Sequence, residues 1–164
     1  MKAKAVFLDR DGVINRNRDD YVKSIDELEI LPDVPNAINL LNKKNFKVVI
    51  ISNQSVINRG LLSTEVLQMI HEFLKKELLR HNAKIDAIYF CPHRPDEHCD
   101  CRKPKPTLIL RAAKDLEIDL SKSYMIGDKE SDKVSAEKAG IQFIQIKTDG
   151  NLLEAIRTFL NTNG

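Results

Sequence analysis

Val6-Phe7-Leu8-Asp9-Arg10-Asp11-Gly12-Val13 is the stretch that decides the fold. An apolar run ends in two carboxylates one residue apart, and a glycine turns the backbone just beyond them. Two further apolar runs end in the same manner. Val48-Val49-Ile50-Ile51 runs into Ser52-Asn53-Gln54, and Tyr124-Met125-Ile126 into Gly127-Asp128. In an open parallel α/β sheet, ligands sit just outside the carboxyl ends of the strands. Three such ends bring carboxylates and a hydroxyl to one place, a set that suits a hard divalent cation and a phosphate group better than an apolar ligand.

Outward from these runs the pattern alternates. Short apolar segments rich in Val, Ile, Phe and Tyr at residues 5–8, 47–51, 86–90, 123–126 and 141–146 read as buried parallel strands. Between them the spacing predicts helices over Pro35–Lys44, Ser63–His81, Thr107–Leu116 and Ser131–Ala139, with a last one over Leu152–Leu160. Ser63 and Thr64 are candidate N-caps, and Gly140 is a helix stop. This alternation specifies an α/β fold, a three-layer Rossmann-like parallel sheet with helices on both faces and right-handed crossovers. The gaps flanking Ser52 are filled by single helices, one strand and loops, which leaves no room for a large cap domain. The irregular segments are Arg16 to Leu31, Ser55 to Leu62 and Cys91 to Pro106. The last is too long and Pro-rich for an ordinary connector.

A chain of 164 residues is expected to form one domain, 1–164, and to bury about two-thirds of its unfolded surface without a covalent staple. The apolar fraction of 42% and charged fraction of 30% are those of a soluble enzyme, and no apolar run is long enough for a bilayer. Met1-Lys2-Ala3-Lys4 leads straight into the first strand, so no signal peptide is expected, and a cytoplasmic monomer is the expectation. The net charge of +2 argues against nucleic acid as the partner.

Phosphoryl transfer needs a nucleophile, charge balance on the equatorial oxygens and a proton for the leaving oxygen. Asp9, at the strand end, is the candidate nucleophile, and Asp11 is placed to serve as acid and then base. Magnesium would join Asp9, Asp11 and Asp128 to the phosphate. Taken alone, Asp-X-Asp-Gly is also a plain turn with solvated acids. The convergence of Ser52, Lys103 and Asp128 on the same sheet edge is what that plainer reading leaves unexplained.

Asp9-Arg10-Asp11-Gly12, Ser52-Asn53-Gln54-Ser55, Arg102-Lys103-Pro104-Lys105-Pro106 and Gly127-Asp128-Lys129-Glu130-Ser131-Asp132 resemble the four ordered motifs of the haloacid dehalogenase superfamily. The resemblance spans about residues 5–146. It implies an aspartyl-phosphate formed on Asp9, acid/base work by Asp11, phosphoryl oxygens held by Ser52 and Lys103, and magnesium bound by Asp128. Asp11 would then reach the metal through its main-chain carbonyl. Asp132 supports the metal site in this reading, or is a solvated helix-face acid.

Cys91, Cys99 and Cys101 are the only cysteines, they lie within eleven residues, and His93 sits among them. An odd, tightly packed set argues against a disulfide framework. One imidazole and three thiolates in a compact loop are what four-coordinate structural Zn²⁺ takes, with no position left for catalytic water. His98 is the rival ligand, disfavoured by its adjacency to Cys99. Zinc would order a segment with little apolar content and hold Arg102 and Lys103 at the mouth of the site.

With this loop the resemblance narrows to the small zinc-loop phosphatases of the superfamily that act on heptose bisphosphate or histidinol phosphate. It implies a small phosphorylated sugar as substrate and contacts from Ser52, Asn53, Gln54, Ser55, Arg102 and Lys129, and from the loop Asn17 to Tyr21. Arg16, Arg18, Arg59 and Arg102 could grip a second phosphate, although Arg16 and Arg18 also read as a solvated charge run. Val56 and Ile57-Asn58 depart from the family pattern before Arg59-Gly60, a bulkier loop that bears on which sugar fits. Histidinol-phosphate hydrolysis, a polynucleotide end-phosphatase and a non-enzymatic zinc-loop binding module are the competing readings.

Overall fold

The computed structural model describes residues 1–163. Five strands, β1 (Ala5–Leu8), β2 (Lys47–Asn53), β3 (Ala87–Cys91), β4 (Tyr124–Gly127) and β5 (Gln142–Gln145), alternate with α1 (Val34–Lys43), α2 (Thr64–Leu79), α3 (Thr107–Asp115), α4 (Glu130–Ala139) and α5 (Leu152–Asn163). Every pairing is parallel, in the order β3-β2-β1-β4-β5. The sheet is the expected one, and no cap interrupts it.

Period-two alternation sorts the strand side chains into two cores. Val6, Leu8, Val48 and Ile50 pack on one face against α1, α2 and α5, through Ile38, Leu41, Leu74, Leu78, Ile156 and Phe159. Ala5, Phe7, Val49, Ile51 and Met125 pack on the other against α3 and α4, through Leu108, Ile109, Ala112 and Ala136. Burying each such side chain contributes about 1.5–3 kcal/mol, which is why these runs are continuous rather than alternating in polarity.

Local signals set the boundaries. The Ser63 hydroxyl accepts from Val66 N at 3.2 Å and opens α2, and Gly140, at φ +78°, closes α4 in the left-handed region. The last helix runs three residues beyond its apolar pattern, to Asn163. The last strand is shorter than the apolar run 141–146 and half-exposed, as an edge strand is.

Strand order reverses at β1, because the chain adds β2 and β3 on one side and returns to place β4 on the other. The crevice at this switch point opens beyond the carboxyl ends of β1 and β4, between Asp9 and Asp128.

Candidate active site

The turn after β1 winds around one carbonyl. Arg10 O accepts from Val13 N, Ile14 N and Asn15 N at 3.2, 2.8 and 3.2 Å, and Gly12 N donates to Asn15 O at 2.7 Å. Gly12 has φ +87°, and a Cβ there would lie 2.5 Å from Asp128 Oδ2, so both its conformation and its neighbour require glycine. The turn thus presents Asp9 and Asp11 toward the β4 end.

Asp9 is buried, and its Oδ1 accepts from Arg10 N at 2.8 Å and Lys103 Nζ at 3.0 Å. Its Oδ2 accepts no hydrogen bond among the described residues. The Lys103 ammonium is 3% exposed and spends its three donors on Asp9 Oδ1, Ile51 O at 2.8 Å and Asp132 Oδ1 at 2.7 Å. Burial raises the Asp9 carboxyl above its ordinary value, Lys103 works against that, and Asp132 adds to it. Lys103 is itself shifted upward, since Asp9 and Asp132 outweigh its burial.

Asp132 is wholly buried at the start of α4, and its Oδ2 accepts from Asp128 N and Lys129 N at 3.3 and 3.2 Å. A Cβ at Gly127 would meet that oxygen at 2.5 Å, so a glycine lets the carboxylate close on the strand end. Of the two readings of Asp132, the solvated helix-face acid is therefore excluded.

One carboxylate oxygen from each of Asp9, Asp128 and Asp132 lies within 4.8 Å of the other two. Asp128 Oδ1 is buried without a hydrogen-bond partner, while Oδ2 accepts from Thr148 Oγ1 at 2.7 Å. A buried acceptor lacking a donor, beside a second carboxylate, fits a hard cation. The Asp11 side chain stands apart from this group. Its Oδ1 accepts from Arg10 Nη2 at 2.8 Å, Arg10 Nε at 3.3 Å and Asn15 Nδ2 at 3.0 Å, and its Oδ2 from Gln54 Nε2 at 2.8 Å. Burial pushes Asp11 up, but Arg10 and the hydrogen bonds from Asn15 and Gln54 prevail and hold it below the usual carboxylate value.

Ser52 is buried at the end of β2 and accepts from Gln54 Nε2 at 2.7 Å, so one amide links Ser52 to Asp11. Asn53 clasps the Lys103 peptide from both sides, with Lys103 N to Asn53 Oδ1 at 3.0 Å and Asn53 Nδ2 to Lys103 O at 3.3 Å. A cavity of about 210 Å³ adjoins Asp11 and is lined by Tyr21, Asn53, Gln54, Ser55, Arg59, Arg102 and Lys129 among others. Arg59 lies 5.8 Å from the Tyr21 ring and donates to Ser55 Oγ at 3.1 Å. Arg18 also lines the cavity but is paired with Asp20 and Glu27, and Arg16 is held by Glu29 outside it.

Cys91 Sγ, His93 Nδ1, Cys99 Sγ and Cys101 Sγ all lie within 4.8 Å of one another, a soft donor set that fits Zn²⁺. His98 lies outside the group. Arg102 Nη1 donates to His93 O at 3.1 Å, and Asn58 Nδ2 ties the loop after β2 to Glu97 at 3.0 Å. These contacts join the cysteine loop to the crevice.

The structure adds residues that the sequence did not single out. Arg10 and His71 back Asp11, and Thr148 holds Asp128. Asp149 accepts from Asn17 N at 2.8 Å and donates its own N–H to Gly12 O at 2.8 Å. The dipeptide Thr148-Asp149 carries no periodicity or motif, whereas an arginine between two aspartates was a legible signal.

A family profile described as HAD-hydrolase-like matches residues 100–160. The D-glycero-beta-D-manno-heptose-1,7-bisphosphate 7-phosphatase of Helicobacter pylori strain J99 is 43% identical over 140 residues, 85% of this chain and 80% of that protein. That of Haemophilus ducreyi is 39% identical over 162 residues, 94% of this chain and 88% of that one. The crystal structure of D,D-heptose 1,7-bisphosphate phosphatase from B. bronchiseptica, complexed with magnesium and phosphate, superposes with a TM-score of 0.84 at 37% identity, covering 94% of this chain and 86% of that one. With such identity over most of both lengths, and with the motif carboxylates gathered at the β1/β4 switch point, the chain belongs to the D-glycero-beta-D-manno-heptose-1,7-bisphosphate 7-phosphatase family of haloacid-dehalogenase-like hydrolases, enzymes that cleave phosphate monoesters.

Proposed function

We propose that this phosphatase removes the 7-phosphate of D-glycero-D-manno-heptose 1,7-bisphosphate through an aspartyl-phosphate on Asp9. The observation that carries the reading is the Asp9 carboxylate, pinned through Oδ1 by Lys103 and Arg10 N with Oδ2 free in the crevice. Asp9 attacks phosphorus, the bond from phosphorus to the sugar oxygen breaks, and that oxygen takes the electron pair and a proton from Asp11. Asp11, now ionised, takes a proton from water as the water oxygen attacks phosphorus. The bond to Asp9 then breaks, releasing phosphate and restoring the carboxylate.

Arg10, Asn15 and Gln54 hold the pKa of Asp11 down, so it rests ionised and able to accept a proton. The arriving phosphate dianion raises it for the acid step, because a second negative charge disfavours ionisation. Mg²⁺ would be held by Asp9, Asp128 and the Asp11 main-chain carbonyl, supplying charge balance for the phosphoryl oxygens. Asp132 braces this set through its bonds to Lys103 and the β4 end. Ser52 holds the phosphoryl group by its hydroxyl, and Lys103, its donors already placed on Asp9, Ile51 and Asp132, balances the phosphoryl charge. Arg59, Arg102 and Lys129, which form no ion pair among the described residues, face the second phosphate.

Phosphate release with Mg²⁺ on heptose 1,7-bisphosphate, both anomers, against histidinol phosphate tests the substrate. The expected result is a preference for the bisphosphate of 100-fold or so in kcat/KM, about what two charge-assisted contacts contribute. A preference for histidinol phosphate refutes the assignment.

Zn²⁺ held by Cys91, His93, Cys99 and Cys101 would order the segment that ends in Arg102 and Lys103. Cys101→Ala is expected to lose zinc, measured by atomic emission, and to lower turnover about tenfold or more as Lys103 loosens, with the Mg²⁺ requirement retained. Unchanged zinc content and rate would sink the idea.

A further inference from the structure

Arg10 is the bulkiest fully buried side chain of the protein, and no step of phosphoryl transfer uses it directly. Taking a guanidinium out of water costs several kcal/mol unless its donors are matched. Here Nε and Nη2 point at Asp11 Oδ1, at 3.3 and 2.8 Å, and Nη1 lies 3.0 Å from His71 Nε2. His71 reaches in from α2, buried against Phe90 in an edge-on contact with ring centroids 5.8 Å apart. Burial, reinforced by Arg10, pushes the imidazole down to about 3. The ring is therefore neutral at physiological pH. Since Arg10 is a donor only, Nε2 is the acceptor and Nδ1 carries the proton.

The consequence lies in how the two oxygens of Asp11 differ. Oδ1 is covered by three donors, two from Arg10 and one from Asn15, while Oδ2 faces only the Gln54 amide. An oxygen crowded by N–H groups cannot hold a proton of its own, so the proton that Asp11 delivers sits on Oδ2. We propose that Arg10, held from behind by His71, is the positioning pair that fixes the rotamer of Asp11 and makes Oδ2 the oxygen that protonates the leaving group. The inference rests on the acid/base reading of Asp11. His71 makes no hydrogen bond to Asp11 and does not line the substrate cavity. Its effect on chemistry passes through Arg10.

Leaving-group dependence separates positioning from packing. A sugar alkoxide must be protonated as it departs, whereas 4-nitrophenolate leaves unaided. The parameter kcat/KM contains only steps up to the first P–O cleavage, so hydrolysis of the aspartyl-phosphate does not enter. The experiment measures kcat/KM on a sugar phosphate and on 4-nitrophenyl phosphate for His71→Ala, His71→Gln and Asp11→Asn. Expected for His71→Ala is a loss of tenfold or so on the sugar phosphate, with little change on the aryl ester. Added imidazole should restore the rate, since a cavity of about 180 Å³ lined by Gln68, Glu72, Lys75, Ile88 and Phe90 already opens on His71. His71→Gln, whose side-chain oxygen can accept from Arg10, should keep most of the activity. Should His71→Ala not fold, His71→Met fills the space without a strong acceptor and gives the same comparison.

Equal losses on both esters, or no loss on either, overturn the proposal. The Asp11→Asn arm distinguishes the two readings. A selective loss there with none in the His71 variants removes only the positioning pair, and an equal loss on both esters removes the acid/base reading and the pair with it.

Discussion

Asp9→Asn is expected to lower turnover by on the order of 10⁴-fold or more while leaving the fold intact. The amide is isosteric, and its oxygen can still accept from Lys103 Nζ and Arg10 N, so the turn keeps both contacts that hold Asp9 Oδ1. What disappears is the anionic oxygen that the proposed mechanism brings to phosphorus. Rapid acid quenching should trap a phosphorylated chain from the parent and none from the variant, with the two melting within a few degrees of each other. Substantial turnover by the variant would show that water attacks the substrate directly and that Asp9 only binds the metal.

Lys103→Met is expected to damage both activity and stability. The ammonium sits between Asp9 and Asp132 with 3% exposure, and its removal leaves two buried carboxylates facing each other. Removing one partner of such a buried pair typically costs about 3–5 kcal/mol. Loss of the charge proposed to balance the phosphoryl oxygens should lower kcat by about 10²–10³-fold. The pH dependence has a definite sign. Asp9 is already raised by burial, and without Lys103 it would be raised further, so the folded state binds a proton that the unfolded chain does not. The deficit, measured by urea unfolding, should therefore shrink as pH falls below neutrality and widen as it rises through the elevated folded value of Asp9. A variant as stable as the parent at neutral pH would mean that water or a cation compensates the pair.

The sheet was legible because its strands are buried on both faces and so appear as unbroken apolar runs, and the switch point followed from which of those runs end in acids. The edge strand misled by length, since Ile141 and Ile146 are buried in the two cores but lie just outside the strand's ends. Asp9, Asp11, Ser52, Lys103 and Asp128 come together because each lies within three residues of a strand end or is clasped to one. Asp132 was ambiguous, since an acid in the first turn of a helix suits solvent and a buried lysine equally well on sequence alone. His71 was hidden more deeply. It lies among Leu67, Ile70, Leu74 and Leu78 on the apolar side of α2, where a histidine passes for core filling until the guanidinium across from it is seen.

The strand register gives the two halves of the site different lifetimes. Leu8 pairs with Ile50 on one side and Ile126 on the other, so Asp9 is level with Ile51 and Gly127, and Ser52 and Asp128 stand one residue further along the middle of the sheet. A slip of one residue would displace any of them by about 3.3 Å and turn its side chain to the opposite face. Amides of a central strand hemmed in on both sides exchange with solvent only when the whole molecule opens. Lys103 arrives on a loop of sparse apolar content, joined to that strand system by the Asn53 clasp and its own ammonium. Asp9 therefore inherits the global stability of the protein, while the lysine that pins it belongs to a unit able to open alone.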